Sequence, residues 1–486
     1  MLSFINKGFE SNLFKYSVLV FFSILLAWLK FNHVLERDES QMILIVQSNP
    51  CFWNLVSTFA YEGTTGLWYV LLWSVSHIFE INPVSVTIIH YLFVVLFIWY
   101  LIFRIEAPMI IKIIFLVQLN VLWHFIFIRQ YILVLLFLAM LIRSIYYKKD
   151  YLVFILIFLL MQLHVLVISI AVSFWIYYSL IKYVNKEKYN LWLHIIPVAG
   201  IILAVLQLLP PDDLIYGLKG WNTEISIYGF ILLLNKIIKH IFYLELTYLL
   251  ILILPPFIIY LIGKSWEINR KALIVFLISV AFVFLSYIFL DIVKYVAYYH
   301  YFFLYFSLLA FCFLLYKNIG IKFNIKWYYL LIPVLLYSGY LMRVQVLNYD
   351  YAPISYADKV AEYLDEKYPD KTILTIPEPY YNSVAVYRKN KYPVYSLGRH
   401  DFIEYVVWDH ESVDYRGKDL VPVKLEELKK EILNVPDSIL KSNPVLVMGT
   451  DLTNIIIDEN EIPVMGDIEI NNNLRLKFIK YWGEKD

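Results

Sequence analysis

Asp38 and Glu39 stand side by side in Arg37-Asp38-Glu39-Ser40-Gln41, just after the first long apolar run, about Tyr16 to Phe31. Adjacent carboxylates leaving a hydrophobic helix for a long loop have the chemistry of a proton acceptor or of a divalent-cation ligand. A polar membrane boundary with Arg37 in a local ion pair is the plainer alternative. Glu62 follows in Tyr61-Glu62-Gly63-Thr64-Thr65-Gly66-Leu67-Trp68-Tyr69. Its two glycines allow a tight turn, after which Thr64 or Thr65 would N-cap a helix. Arg129 falls near the outer end of a later apolar run, and its forked donors suit a phosphate, or else it snorkels at a helix end. His164 and His300 have a similar expected depth, as phosphate contacts or as hydrogen-bonded interfacial histidines.

These residues need a scaffold, and composition says which kind. With 61% hydrophobic and 17% charged residues and a mean hydropathy of +0.65, the chain is too apolar for a water-soluble globule. Its apolar runs have the roughly 17 to 25 residues that cross a bilayer as helices, whereas barrel strands are shorter and alternate. A polytopic α-helical membrane protein is expected, with about eleven spans near 16–31, 84–103, 109–128, 130–146, 151–168, 169–184, 191–209, 244–262, 272–290, 300–316 and 327–342. The stretch 228–243 is interrupted by Lys236, Lys239 and His240, as an interfacial helix would be. The first run follows Lys7 and Lys15 without a small-residue cleavage site and reads as a retained helix.

A net charge of +1 supplies no field for nucleic acid. Cys51 and Cys312 fall at different expected depths, so no disulfide is expected. Basic residues collect in alternate loops, including Arg104 with Lys112, Arg143 with Lys148 and Lys149, and Lys182 with Lys186 and Lys188. Those loops are expected to be cytoplasmic, which places Asp38, Glu39 and Glu62 outside, in a multi-pass protein of the cell membrane.

The first external loop, about 32–83, is rich in Trp and Tyr, and its pieces 40–48 and 66–79 are expected to be helices lying along the interface. Residues 1–342 thus form a transmembrane module. From 343 to 486 charges become frequent and apolar runs shorten, which predicts a soluble extracytoplasmic domain of about 140 residues. A helix at 356–368 and strands at 372–376, 393–396, 402–407 and 445–448 make that domain α/β.

Arg37-Asp38-Glu39-Ser40-Gln41, then Tyr61-Glu62-Gly63 and Leu67-Trp68-Tyr69-Val70-Leu71-Leu72-Trp73, resemble the first external loop of the GT-C-fold membrane glycosyltransferases. The likeness is to bacterial members related to the dolichyl-phosphate-mannose mannosyltransferases and aminoarabinose transferases. Weaker likeness continues through Ile128-Arg129-Gln130-Tyr131, Gln162-Leu163-His164 and Tyr299-His300-Tyr301. Where that family commonly has His-Pro after Tyr-Glu-Gly, this chain has Thr64-Thr65.

The resemblance implies an inverting hexosyl or pentosyl transfer in glycan biosynthesis of the cell envelope. The sugar would pass from a polyprenyl-phosphate carrier to a glycan, lipid or protein acceptor at the outer membrane face. Asp38 and Glu39 would be the catalytic residues, Asp38 as base and Glu39 orienting the acceptor. The two together would hold any Mg2+ or Mn2+. Glu62, Arg129, Tyr131, His164 and His300 would contact substrate. Alternatives are a polymerase or ligase for whole lipid-linked glycans, a transporter or flippase, and an assembly protein. Transporters place ionisable groups at mid-membrane depth, whereas most charges here sit at helix ends.

Overall fold

The structure, a computed structural model, describes residues 11–209 apart from 63 and 189, residue 211, 247–292, 301–320, residue 340, 357–448 apart from 377, 390–393 and 408–424, then 464–471 and 474–480. The expected pieces at 228–243 and 327–342, and His300, lie outside the described residues.

The helices run α1 Asn12–Phe31, α2 Arg37–Ser48, α3 Phe52–Glu62, α4 Leu67–Ser76, α5 Pro83–Arg104, α6 Met109–Leu116, α7 Leu119–Ile126, α8 Tyr131–Tyr146, α9 Asp150–Met161, α10 Val165–Val184 and α11 Ile195–Leu208. Beyond them come α12 Thr247–Ile268, α13 Arg270–Ile292 and α14 Tyr301–Ile319. Among the described residues five helical stretches are long and apolar enough to cross a membrane: Asn12–Phe31, Pro83–Arg104, Val165–Val184, Leu191–Leu208 and Arg270–Phe289. This is consistent with a helical membrane protein.

On α1, Val18, Phe22, Leu26 and Leu29 are buried, while Leu13, Phe21 and Ile24 are exposed on the other side. An apolar helix with one protein-facing stripe and one bare apolar face suits a lipid boundary. Helix α5 starts where Asn82 and Ser85 cap each other, backbone N–H to side chain at 2.9 Å in both directions, with Pro83 at the first helical position. It returns antiparallel to α1: the Tyr91 hydroxyl donates to Ser23 O at 2.9 Å, and Tyr16 packs on Phe103.

The run 109–128 is not one span. It is two eight-residue helices, α6 and α7, parted at Gln118, whose amide donates to the Tyr305 hydroxyl at 3.3 Å. At about 1.5 Å per residue neither crosses a hydrocarbon core. The boundary expected between 168 and 169 falls instead at Gln162-Leu163-His164, between α9 and α10.

In the tail, α15 Ala357–Lys367 buries Ala357, Val360, Ala361 and Leu364. It is followed by β1 Ile373–Ile376, α16 Glu378–Ala385, β2 Val394–Ser396, β3 Asp401–Ile403, α17 Leu425–Leu433, α18 Asp437–Leu440, β4 Val445–Met448, β5 Val464–Asn471 and β6 Leu474–Lys480. The six strands form one sheet in the order β3-β2-β1-β4-β6-β5. β1 is parallel to β2 and β4, and β4 to β6, while β3 and β5 run antiparallel at the edges. The tail is docked: α16 packs on α2, and Val386 joins the buried core of the preceding helices.

Candidate functional site

Helix α2 begins where the chain leaves α1, with Glu36 extended at the N-cap and its N–H donating to Glu39 Oε2 at 2.8 Å. Asp38 and Glu39 in the first turn complement the partial positive charge of the helix N-terminus. Neighbours on a helix point about 100° apart, and the two carboxylates go separate ways. Glu39 turns inward with no exposed surface; His33 Nε2 lies 2.7 Å from Oε2, and the Ile128 N–H donates to Oε1. Burial opposes its charge, but His33 and the two backbone N–H groups outweigh it and hold the carboxyl below its usual range. From α1, the buried Lys30 Nζ donates to Phe125 O at 3.2 Å and Ile126 O at 2.8 Å, the carbonyls left over at the end of α7. Lys30 and Glu39 thereby pin the turn that carries Arg129.

Asp38 turns outward, its side chain 38% exposed. Arg129 Nη2 donates to Asp38 Oδ2 at 2.9 Å and also to Glu36 Oε1, while Arg37 Nε donates to Asp38 Oδ1 at 2.9 Å. Burial works against the Asp38 charge; the Arg129 and Arg37 guanidiniums more than offset it and bring the pKa down to about 2. Because the folded value lies below the usual one, the stabilisation from this ionisation is full above about pH 4 and fades as pH falls toward 2.

Glu62 closes α3; Gln41 Nε2 donates to its Oε1 at 2.9 Å and the Tyr69 hydroxyl to its Oε2 at 3.3 Å. Tyr131 opens α8, buried, with its ring 5.7 Å from that of His164 and 5.1 Å from that of His124. His164, also buried, caps α10 by accepting the Leu166 N–H on Nδ1 at 3.3 Å. Asp38, Glu39, Glu62, Arg129, Tyr131 and His164 thus gather at one end of the bundle.

No family model, no curated protein and no solved structure matches this chain.

The loop from Glu62 to Gly66 is stapled to the helix ends beneath it. Thr64 Oγ1 donates to Leu163 O and accepts from Gln130 Nε2, both at 3.2 Å, and Gly66 N donates to Gln207 Oε1 at 2.7 Å. Gln207 Nε2 in turn donates to Gln162 Oε1 at 3.0 Å, and Gln162 Nε2 to Gly200 O at 2.9 Å. Neither threonine caps α4; its N-cap is Gly66. Nor does Gly66 serve an unusual turn, since its φ is −84°. A Cβ there would lie 1.9 Å from Phe59 Cε2, so close packing on a buried ring requires glycine. Gly66→Ala is expected to destabilise by about 1–3 kcal/mol, as overpacking does, in thermal unfolding of the detergent-solubilised protein.

The amides Gln41, Gln130, Gln162 and Gln207, and Lys30, are the parts of the site that sequence reasoning passed over. Their signal was a polar group inside an apolar run, such as Gln162 between Met161 and Leu163.

For a divalent cation the fit is poor. Both Asp38 oxygens accept from guanidiniums, and both Glu39 oxygens from inward-facing groups on His33, Glu36 and Ile128. Among the described residues no group of three His, Cys, Asp or Glu side chains is placed to hold a metal. The residues as placed do not fit the Mg2+ or Mn2+ expected on Asp38 and Glu39.

Proposed function

We propose that this chain is an inverting membrane glycosyltransferase of the GT-C type, taking a sugar from a polyprenyl-phosphate carrier. The observation that carries the reading is the meeting of Asp38 and Arg129, 2.9 Å apart, at the start of α2. Such a transfer needs both. The acceptor hydroxyl oxygen bonds to the anomeric carbon as the carbon–oxygen bond to phosphate breaks on the opposite face, which inverts the centre. The hydroxyl proton goes to Asp38, and Arg129 meets the charge gained by the departing polyprenyl phosphate. Glu62, fixed by Gln41 and Tyr69, accepts from sugar or acceptor hydroxyls. Tyr131 and His164 wall the donor side, His164 toward the phosphate. Glu39 holds the turn under Arg129.

The outer face of the cell membrane suits this chemistry, because the opposite end of the helices is the basic one. There Arg143 Nη1 donates to Arg104 O, Lys182 pairs with Asp150 at 2.9 Å, and Lys317 pairs with Glu106 at 3.2 Å. Cys51 is exposed in the first loop and Cys312 is buried. A membrane-impermeant thiol reagent is therefore expected to label wild-type protein in intact cells and to lose that label in Cys51→Ser. Labelling only after lysis would reverse the sidedness. The activity itself is tested by transfer of a labelled sugar from a polyprenyl-phosphate donor by the purified protein in liposomes, with membrane glycolipids as acceptors. Absence of both transfer and donor binding would overturn the reading.

A further inference from the structure

We propose that Glu36 and Asp38 form an internal latch on Arg129, which the phosphate of a lipid-linked donor must displace in order to bind. The inference rests on the reading of Arg129 as the phosphate contact and adds how that contact is regulated.

One nitrogen, Nη2, serves both carboxylates, so the end of the guanidinium that a phosphate would take is already occupied by two oxygens. Arg129 cannot leave them by moving its backbone. The turn beneath it is held by Lys30 at the carbonyls of 125 and 126 and by Glu39 at the N–H of 128. The carboxylates must therefore yield.

Exposure grades outward through the cluster, from 12% at the Glu36 side chain and 17% at Arg129 to 38% at Asp38. A ligand arriving from the exposed side meets Asp38 first. Asp38 has a second cation to stay with, because Arg37 holds its other oxygen at 2.9 Å. Formal charges are balanced within the cluster, Arg37 and Arg129 against Glu36 and Asp38. A phosphate anion added to it gains little unless a carboxylate gives up its guanidinium contact. Once Asp38 has released Arg129 to the phosphate, it has one cation fewer and is the stronger base, so the base comes into force when the donor is seated.

The latch has a consequence opposite to that of an ordinary binding acid: removing a carboxylate should tighten phosphate binding. The test uses the full chain in lipid nanodiscs, titrated with a long-chain polyprenyl phosphate and, separately, with inorganic phosphate. Glu36→Gln is expected to bind polyprenyl phosphate about two- to fivefold more tightly than wild type, the range for loss of one partly exposed competing ion pair. Gln keeps an acceptor at the N-cap, so the fold is retained. Asp38→Asn should shift in the same direction, and Arg129→Gln should weaken binding about tenfold or more. The same pattern with inorganic phosphate supports the latch and makes the phosphate group what it reads. If Glu36→Gln binds no more tightly than wild type while Arg129→Gln weakens binding, the latch is wrong and the phosphate assignment stands. If Arg129→Gln leaves binding unchanged, the phosphate assignment falls and takes the latch with it.

Discussion

Asp38→Asn is expected to slow sugar transfer by roughly 10²- to 10⁴-fold, the range for loss of a general base. Asparagine keeps nearly the same shape and can still accept from Arg37 and Arg129, whose donors lie 2.9 Å away, but it cannot take up a proton at neutral pH. Folding should change little, because the side chain is partly exposed and no packed contact is lost. The comparison is of initial transfer rates at equal membrane abundance, from a polyprenyl-phosphate sugar. An unchanged rate would remove Asp38 from the chemistry. A lost rate with tightened donor phosphate binding would separate its part as base from its hold on Arg129.

Glu39→Ala should fail for a different reason. Its carboxylate is fully buried and receives His33 Nε2, the Glu36 N–H and the Ile128 N–H. Truncation leaves those groups without their acceptor and Lys30 without its nearby counter-charge. Breaking a buried charge pair in this way costs about 3–5 kcal/mol. The expected result is a large fall in unfolding temperature or in the yield of monodisperse protein, with Glu39→Gln intermediate because it keeps one oxygen acceptor. A Glu39→Ala protein as stable as wild type but inactive would return Glu39 to the catalytic group. Adjacent acids would thus separate into one variant that folds without turnover and one that does not fold.

How far these roles could be read from sequence depends on the residue. Helices α1, α5 and α13 are legible because each is a long uninterrupted apolar run, and the alternation of basic loops follows from charge alone. Sequence hydropathy does not distinguish one long helix from two short ones, so 109–128 reads as a single span although Gln118 and its bond to Tyr305 divide it. In the tail, β1, β2 and β4 are short apolar runs and could be anticipated. β5 and β6 were missed, although Leu474, Leu476 and Phe478 alternate with Arg475 and Lys477 as a half-buried strand would.

Within the site, Asp38, Glu62, Arg129 and His164 stand out by type and expected depth. Pattern alone could not divide Asp38 from Glu39, because which neighbour faces inward depends on how α2 lies against the Ile128 turn. The bond from Glu62 to Gln41 was equally hidden, since an amide carries no charge signature.

Gln41 also fixes an order of events during synthesis. Its side chain makes four hydrogen bonds, donating to Glu62 and Val406 O and accepting from Asn382 and the Val406 N–H, and the tail partners lie 341 and 365 residues downstream. The first loop emerges early, yet three of the four bonds of this amide cannot form until nearly the whole polypeptide has left the ribosome. Contacts of such long sequence separation form late and cost chain entropy before they return anything. The surroundings of Gln41 and Glu62 are then completed last, and a chain stopped before residue 382 would carry the carboxylates of the site without the tail helix that packs on α2.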